Sequence, residues 1–220
     1  MSFTSTRYFP VFLNLKGMRI LVVGGGKVGT KRALKFTEYG ADVTVLSLAF
    51  SEELSKRDDI KKISLDAREV NREFIRNYDI VITATNNPEV NSRICDLCRE
   101  ERKLCNNPTN PSESSFIVPI FYEDEEIGIA VTTMGKSSIM SKVILDRALE
   151  ALREDPKILL ELKVMADVKA MLKRKVADPS IRYVLYQKIF VDREFESFIN
   201  NGNVNSAMKR AEEIINESSQ

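Results

Sequence analysis

Three glycines spaced as Gly-x-Gly-x-x-Gly, Gly24, Gly26 and Gly29, directly follow an apolar run that ends at Val23. In such a pattern the first glycine permits a tight turn, the second lets a pyrophosphate approach the backbone, and the third lets a helix pack on the strand. The N–H groups of that helix then face the anion. A purely structural βα turn is the alternative. Because the glycines lie between a predicted strand and a predicted helix, the pattern favours dinucleotide binding.

Selectivity between NAD and NADP depends on the residue after the second strand, where an acidic side chain usually contacts the ribose hydroxyls. Here that position is Ser47, followed by Leu48 and Ala49. Since no carboxylate is present, this rule does not decide between NAD and NADP. Since no arginine adjacent in sequence could hold a 2′-phosphate, NAD is favoured. We predict a cofactor site made of Gly24, Gly26, Lys27, Val28, Gly29, Ser47, Leu48, Ala49, Thr85 and Asn86.

Thr85 and Asn86 belong to this site because they directly follow a second buried run, Asp79–Ala84. Ligands of doubly wound folds bind at the carboxyl ends of the strands, so both residues could contact the cofactor. A second interpretation is that Asn87 caps a helix that begins at Pro88. The two interpretations are compatible.

Cys95, Cys98 and Cys105 could indicate a metal site, but the chain has no fourth cysteine and no histidine. Without those ligands a structural zinc site cannot be completed, so we expect these residues to pack in the core and predict no metal site. An odd cysteine count and the lack of a leader pattern favour a reducing cytoplasm.

The absence of histidine also excludes Ser-His-Asp and Cys-His catalysis and the usual general base near neutral pH. The 33 basic and 32 acidic residues nearly cancel, so the composition indicates neither a nucleic acid nor an anionic membrane as partner. Lys27, Lys31 and Arg32 form either a solvated helix face or, with Lys136, contacts to a carboxylate-bearing substrate.

These residues must be positioned by alternating strands and helices. We predict strands at 18–23, 43–46, 60–63, 79–84 and 104–106, and helices from the glycine turn to Gly40 and at 51–57, 68–76 and 88–101. This order is typical of an α/β fold with a Rossmann-type parallel sheet. The polar stretch 107–115 is predicted to be a functional loop that ends the first domain.

The second half of the chain has a different character. Two strands at 116–122 and 127–132 flank an acidic reversal, and helices follow at 138–153, 157–175, 179–190, 192–200 and 203–217. Two strands and one helix are too few to bury both faces, which predicts pairing with another subunit. We therefore expect a Rossmann domain at 1–112, a small α+β dimerisation domain at 113–150 and a helical carboxyl-terminal domain at 151–220.

Beside this interpretation, the chain resembles the precorrin-2 dehydrogenases, the amino-terminal module of siroheme synthases. Individual segments are loosely defined, but their order and spacing are specific and cover essentially the whole chain. The matching segments are 8–15, 20–29 with Lys31-Arg32, Ala84-Thr85-Asn86-Asn87 with Asn91, Leu104-Cys105-Asn106, 115–119, 130–133 and 188–191.

The resemblance implies NAD-dependent oxidation of precorrin-2 to sirohydrochlorin by an interlocked homodimer. Some members of this family also insert Fe²⁺ to form siroheme. A non-catalytic protein that binds NAD and a tetrapyrrole is the alternative, and a reductase for another substrate is a third. The substrate contacts implied for this chain are Asn106, Ser115, Thr133, Lys136 and Ser137.

The sequence departs from the family at one functional position. The family usually has an aspartate in the loop after the Cys-Asn strand, with a role in proton removal or metal insertion, and here Thr109 occupies that position. Threonine cannot act as a base near pH 7. Thr109 and Asn106 are thus the residues at the expected catalytic position. Hydride transfer tolerates this loss better than metal insertion does, so we predict slow or absent ferrochelation.

Overall fold

The structure is a computed structural model that describes residues 8–217. The described residues form two compact units, one that ends at Val118 and one that begins at Pro119. The finer division at 112 and 150 stays a prediction. Within residues 8–217, no helix combines the length and the apolar character needed to cross a bilayer.

The first unit is a five-stranded, wholly parallel sheet with strand order β3-β2-β1-β4-β5. This confirms the predicted Rossmann-type α/β fold. Its elements are β1 (Arg19–Val23), α1 (Lys27–Glu38), β2 (Asp42–Leu46), α2 (Glu52–Ser55), β3 (Lys61–Ile63), α3 (Arg72–Arg76), β4 (Ile80–Thr83), α4 (Pro88–Glu100) and β5 (Leu104–Asn106).

Strand β1 is the centre of this sheet and is buried on both faces. Ile20 and Val22 belong to one apolar cluster, whereas Leu21 and Val23 belong to another. Because successive side chains of a strand point to opposite faces, a strand covered on both sides must be apolar throughout. The continuous apolar run before the glycines is therefore explained by its position in the sheet.

The predicted helix at 68–76 is wrong as a single element. The structure has one 3₁₀ turn at Ala67–Glu69, and α3 begins only after Asn71. Val70 between them is 1% exposed and joins the core, and the Asn71 side chain accepts a hydrogen bond from the Phe74 N–H. The segment 68–76 is thus divided in two, because Val70 is buried in the core and Asn71 caps the start of a separate helix.

The second unit begins with an antiparallel hairpin, β6 (Ile120–Glu123) and β7 (Gly128–Val131). Asp124 closes the acidic reversal, because its Oδ1 accepts hydrogen bonds from the N–H groups of Glu126 and Ile127. The predicted first strand starts late: Phe116 and Val118 instead pack against the sheet of the first unit. The hairpin itself is as predicted.

Five helices follow the hairpin and match the predicted helices within one or two residues. Residues such as Val168, Ile189 and Phe195 are 0% exposed and form a common helical core. This confirms the helical carboxyl-terminal region. The helices are α5 (Ser138–Glu154), α6 (Pro156–Lys175), α7 (Pro179–Phe190), α8 (Arg193–Asn200) and α9 (Val204–Glu217).

The cysteines differ in part from expectation. All three lie in the core, but Cys95 of α4 and Cys105 of β5 form a disulfide, which the odd cysteine count did not lead us to expect. Cys98 is free, and burial raises the pKa of its thiol to about 12. The fold brings the first and third cysteines together because α4 packs beside the strand that follows it.

Candidate functional site: a cavity at the carboxyl edge of the parallel sheet

A cavity of about 640 Å³ opens at the carboxyl ends of β1, β2, β3 and β4. This is the edge at which doubly wound folds bind their ligands. Four segments supply its walls: the glycine turn, the chain after β2, the loop after β3 and the loop after β4. The lining residues are Gly24–Gly26, Leu46–Ser51, Leu65–Arg68, Ala84–Asn87 and Val90.

Close backbone approaches explain three of the glycines in the turn. A Cβ on Gly24 would lie 2.4 Å from the Ala84 oxygen, and the backbone φ of Gly24 is +115°, which side chains rarely allow. A Cβ on Gly25 would lie 2.3 Å from the Ala49 oxygen, and one on Gly29 would lie 1.8 Å from the Gly24 oxygen. The turn therefore exists only if these positions lack side chains.

Gly26 has a different role, because it faces open space. A Cβ there would meet nothing within 4 Å. Gly26 is the N-cap of α1, no side chain of residues 8–217 caps this helix start, and no acidic residue occupies the first turn. A helix start of this kind offers N–H groups and a positive dipole end to an anion. The glycine turn thus fits a pyrophosphate.

The residues after β2 form the next wall of the cavity. Ser47, Leu48 and Ala49 all line it, and their contact with a cofactor stays a prediction. The Ser47 N–H donates to the Ile63 oxygen at 3.1 Å, and its Oγ accepts from the Ala49 N–H at 3.4 Å. Leu48 is 70% exposed, which leaves its apolar side chain free to cover a flat ring.

Thr85 and Asn86 also line the cavity. The Thr85 hydroxyl donates to the Asn91 Oδ1 at 2.6 Å, and the Asn91 amide returns a hydrogen bond to the Thr85 oxygen at 3.1 Å. Asn87 caps α4 by accepting from the Val90 N–H at 3.1 Å, which confirms that interpretation. A contact of Thr85 or Asn86 with the cofactor stays a prediction.

Some predicted cofactor residues do not reach the wall of the cavity. Lys27 and Val28 lie exposed in the first turn of α1 and are not among the described lining residues, while Gly29 is buried beneath the turn. Lys31 is also exposed, whereas Arg32 is partly buried and burial lowers its pKa. Lys31 therefore lies on the solvated face of α1, as one of the two interpretations expects. Arg32 agrees with that interpretation only in part, because its side chain is partly buried.

The loop after β3 was missed by the sequence analysis. Asp66, Ala67 and Arg68 line the cavity, so an arginine does reach it although none is adjacent to Ser47 in sequence. The signal that could have located it is the strand order. Because β3 pairs with β2, the loop that follows β3 must lie at the same edge as Ser47.

The loop after β5 is organised around the carboxylate of Glu113. Ser92 Oγ lies 2.9 Å from both of its oxygens, and the Nδ2 atoms of Asn107 and Asn110 each donate to it at 2.8 Å. Asn107 in turn accepts from the Thr109 N–H at 3.1 Å. Thr109 itself is exposed. The nearest carboxylate to Thr109 in sequence is thus already engaged by three partners.

Asn106 and Ser115 lie at the two ends of this loop. Asn106 is 7% exposed, and its Nδ2 donates to the Phe116 oxygen at 3.0 Å. Its Oδ1 has no hydrogen-bond partner among the described residues. Ser115 Oγ accepts from the Cys105 N–H at 2.7 Å. A buried acceptor without a partner is costly and is a candidate contact for a ligand N–H or O–H group.

Thr133, Lys136 and Ser137 belong to the second unit, between β7 and α5. Thr133 Oγ1 donates to the Ser137 oxygen at 2.8 Å and accepts from its N–H at 2.9 Å, and Ser137 Oγ caps α5 through the Met140 N–H. Lys136 is exposed. Met134 and Gly135 have positive φ values of 54° and 81°, so this turn is sharply defined.

Comparison with protein families identifies the sheet unit. Residues 11–120 match the family described as "Putative NAD(P)-binding", a range that contains the glycine turn and every wall of the cavity. The chain belongs to this family. NAD(P) binding is therefore the property that the glycine turn, the cavity and the family have in common.

Two curated relatives are similar to nearly the whole chain. "Putative precorrin-2 dehydrogenase" of Methanocaldococcus jannaschii is 29% identical over 194 residues, which cover 84% of this chain and 91% of the relative. A siroheme synthase of Actinobacillus succinogenes is 29% identical over 209 residues, which cover 93% of this chain but only 42% of the relative. The chain thus spans less than half of such synthases.

Among solved structures, "SirC, precorrin-2 dehydrogenase" superposes with a TM-score of 0.66 at 22% identity. The match covers 94% of this chain and 100% of that one. At this identity the likeness establishes the fold. It extends the resemblance of the sheet unit to the hairpin and the helices of the second unit.

Proposed function

We propose that this chain catalyses the NAD-dependent oxidation of precorrin-2 to sirohydrochlorin, a step in siroheme formation. The observation that carries the proposal is the glycine turn, whose second glycine opens an uncapped helix start to a cavity of about 640 Å³. The choice of precorrin-2 as the substrate rests on the relatives named precorrin-2 dehydrogenase and siroheme synthase. The cofactor site and the substrate belong to one reaction, because oxidation of the macrocycle requires an acceptor for two electrons and NAD⁺ is such an acceptor.

The cavity walls indicate how the chain would orient NAD⁺. The N–H groups that follow Gly26 bind the pyrophosphate, and Ser47 with Ala49 holds the ribose that lies after β2. Leu48 covers one face of the adenine, and Thr85 with Asn86 borders the path toward β4. Bound NAD⁺ supplies a hydride acceptor, so the chief task of the protein is to position the two reactants.

We propose that the substrate is contacted by Asn106, Ser115, Thr133, Lys136 and Ser137. The partnerless Oδ1 of Asn106 is suited to accept a hydrogen bond from a pyrrole N–H. The exposed ammonium of Lys136 is suited to a substrate carboxylate. We further propose a homodimer, because α5 and the turn before it leave large apolar side chains such as Ile139 and Met134 exposed.

Proton removal after hydride transfer needs a base, and this chain offers none at Thr109. Glu113 is a poor substitute, because its carboxylate oxygens already accept hydrogen bonds from Ser92, Asn107 and Asn110. We therefore propose that the proton passes to water or to a carboxylate of the substrate. The extended conjugation of the product favours this loss even without a strong base.

Anaerobic incubation with precorrin-2 and NAD⁺ tests the proposal. The expected result is the absorption spectrum of sirohydrochlorin, with one NADH formed per product. In a Gly26→Ala variant the added methyl group fits the turn but keeps the pyrophosphate from the backbone, so turnover should be at least tenfold slower. Binding of NAD⁺ without any change in precorrin-2 would contradict the proposal.

A non-catalytic protein that binds NAD and a tetrapyrrole is the second candidate, favoured by Thr109 at the position of the family's aspartate. A Thr109→Asp variant distinguishes the two. If turnover appears only in the variant, the unaltered chain is a binding protein that lacks a catalytic group. High turnover in the unaltered chain removes this candidate.

Insertion of Fe²⁺ into sirohydrochlorin is expected to be slow or absent. A chelatase must accept two pyrrole protons, and the chain has neither a histidine nor a carboxylate at position 109. Siroheme spectra measured with and without protein provide the check. Metal insertion well above the protein-free rate would show that this expectation is wrong. The cytoplasmic location also stays a prediction.

A further inference from the structure

Two hydroxyl groups that the proposed function does not use contact the glycine turn. Thr30 belongs to the first turn of α1 and is 3% exposed, and Ser51 is the N-cap of α2. Thr30 Oγ1 and Ser51 Oγ lie 2.8 Å apart, although the two residues are separated by 21 positions in the sequence. The fold thus forms a hydroxyl pair, Thr30 with Ser51, beside the turn.

Both members of the hydroxyl pair hold the backbone oxygen of Gly25. Thr30 Oγ1 donates to this oxygen at 3.4 Å, and the Ser51 N–H donates to it at 3.2 Å. Because Thr30 gives its single hydroxyl proton to Gly25, the Ser51 hydroxyl is the donor within the pair. Ser51 Oγ in turn accepts from the Leu54 N–H at 3.2 Å. A directed series of hydrogen bonds therefore runs from α2 to the glycine turn.

The Gly25 oxygen determines where the next N–H group points. The peptide bond between Gly25 and Gly26 is trans, so the Gly25 oxygen and the Gly26 N–H lie in one plane and point in opposite directions. Gly26 is the N-cap of α1, where N–H groups have no acceptor within the helix, and it lines the cavity. Holding the oxygen of Gly25 therefore fixes the direction of an N–H that can face an anion.

The hydroxyl pair also attaches one wall of the cavity to another. The chain after β2 lies directly on the turn, since a Cβ on Gly25 would be 2.3 Å from the Ala49 oxygen and 3.1 Å from the Ser47 Cβ. Ser51 ends this segment and is joined to the turn through Thr30 and through its own N–H. The segment that would hold the ribose is thus kept at a fixed distance from the one that would hold the pyrophosphate.

From these contacts we propose that Thr30 and Ser51 are positioning residues of the dinucleotide site. Their hydroxyl pair holds the Gly25 oxygen so that the Gly26 N–H faces the pyrophosphate, and its effect on the cofactor passes through this peptide group. The inference rests on the cofactor site of the proposed function. It adds to that site two residues that the glycine pattern does not contain.

Calorimetric titration of the full chain with NAD⁺, ADP and adenosine tests the inference without any turnover. NAD⁺ and ADP contain a pyrophosphate, whereas adenosine has the same base and ribose without a phosphate. Thr30→Val removes the hydroxyl and keeps the shape of the side chain. It should weaken NAD⁺ and ADP about tenfold, the effect of one hydrogen bond, and leave adenosine within about twofold.

Two further variants establish that the hydroxyl is the cause. Thr30→Ser keeps the hydroxyl and should bind NAD⁺ within about twofold of the unaltered chain. Thr37→Val is the matched control, because Thr37 Oγ1 donates to the Ala33 oxygen at 2.9 Å in the same helix. It should leave the affinity for all three ligands unchanged. Thermal unfolding of each variant establishes that it is folded.

Ser51→Ala provides a second, independent measurement, which also serves if Thr30→Val is too unstable to titrate. It removes the donor to Thr30 and should weaken NAD⁺ about tenfold. If both residues act through the Gly25 oxygen, the double variant should bind no more than about twofold more weakly than either single variant. An additive loss of about a hundredfold would contradict a common role.

The outcomes separate this inference from the proposed function. If the unaltered chain binds NAD⁺ and the two hydroxyl deletions bind it equally well, or weaken adenosine as much as NAD⁺, the positioning role is wrong and the dinucleotide site stands. If the unaltered chain does not bind NAD⁺, both proposals fail. If the variants behave as expected but precorrin-2 is not oxidised by the unaltered chain, the proposed function alone is contradicted.

Discussion

Two loops at the same edge of the sheet are held in place by different means. The glycine turn after β1 is defined by backbone approaches so close that a Cβ at position 29 would lie 1.8 Å from the Gly24 oxygen. The loop after β5 is defined by side chains, with Glu113 joined to Ser92, Asn107 and Asn110. One depends on the absence of side chains, and the other depends on their hydrogen bonds.

This difference decides how each loop can contribute to function. The glycine turn presents N–H groups whose positions are set by the fold, which suits the unchanging pyrophosphate of a cofactor. The loop after β5 presents polar side chains that can be exchanged without rebuilding the sheet. Exchange of an exposed polar side chain such as that of Thr109 is therefore compatible with an intact fold.

The largest expected effect is that of Gly29→Ala. The added methyl group would overlap a backbone oxygen that cannot move without distorting the turn, so we expect unfolding stability to fall by about 3 kcal/mol. Nucleotide binding should be lost as well. Denaturant titration and calorimetry measure the two effects, and a stable variant with normal NAD⁺ binding would mean that the turn is not fixed by backbone contact.

Next in size is reduction of the disulfide between Cys95 and Cys105, which joins α4 to the strand that begins the second loop. Since these cysteines are 10 residues apart, its loss should lower stability by about 2–3 kcal/mol. Denaturant titration with and without dithiothreitol measures the change. A Cys95→Ala/Cys105→Ala variant is the control and should not respond to the reductant.

Cys98 should be inert in the same experiment. Burial raises the pKa of its thiol to about 12, so almost none of it is thiolate at neutral pH. Its labelling by a thiol reagent should therefore begin only when the protein unfolds. Rapid labelling of the oxidised, folded chain would show that this core is open to solvent.

A smaller effect is expected for Glu113→Gln. The new NH₂ group replaces one of the two oxygens and opposes the Nδ2 donor of either Asn107 or Asn110, so about 1–2 kcal/mol of stability should be lost and the loop should become more mobile. Hydrogen exchange across residues 107–114 gives the local readout. Glu89→Gln, at an exposed position of α4, is the control, and equal exchange in both variants would contradict a loop organised by Glu113.

The smallest effect on stability is expected for Gly26→Ala. Nothing lies within 4 Å of the added methyl group, so the cost is that of a poorer N-cap, under about 1 kcal/mol. NAD⁺ affinity should nevertheless fall about tenfold, because the backbone can no longer approach the pyrophosphate. Unchanged affinity would show that the anion does not bind at this helix start.

Much of the fold was predictable because its signals are local. The glycine spacing, the apolar strands and the Asn87 cap each follow from steric or hydrogen-bonding rules that act over a few residues. The segment 68–76 was predicted wrongly because burial of Val70, a tertiary effect, interrupts the helix. The start of the first hairpin strand was misplaced for a similar reason, since Phe116 and Val118 contribute to the core of the sheet unit.

The sequence by itself determined the dinucleotide turn, because only glycine tolerates such close backbone contact. The tertiary structure alone decided which distant residues meet. It paired Cys95 with Cys105, gathered Ser92 and Asn107 around Glu113, and brought Arg68 to the cavity that Ser47 lines. These contacts depend on strand order and helix packing, which act between residues far apart in the chain and leave no mark in local spacing.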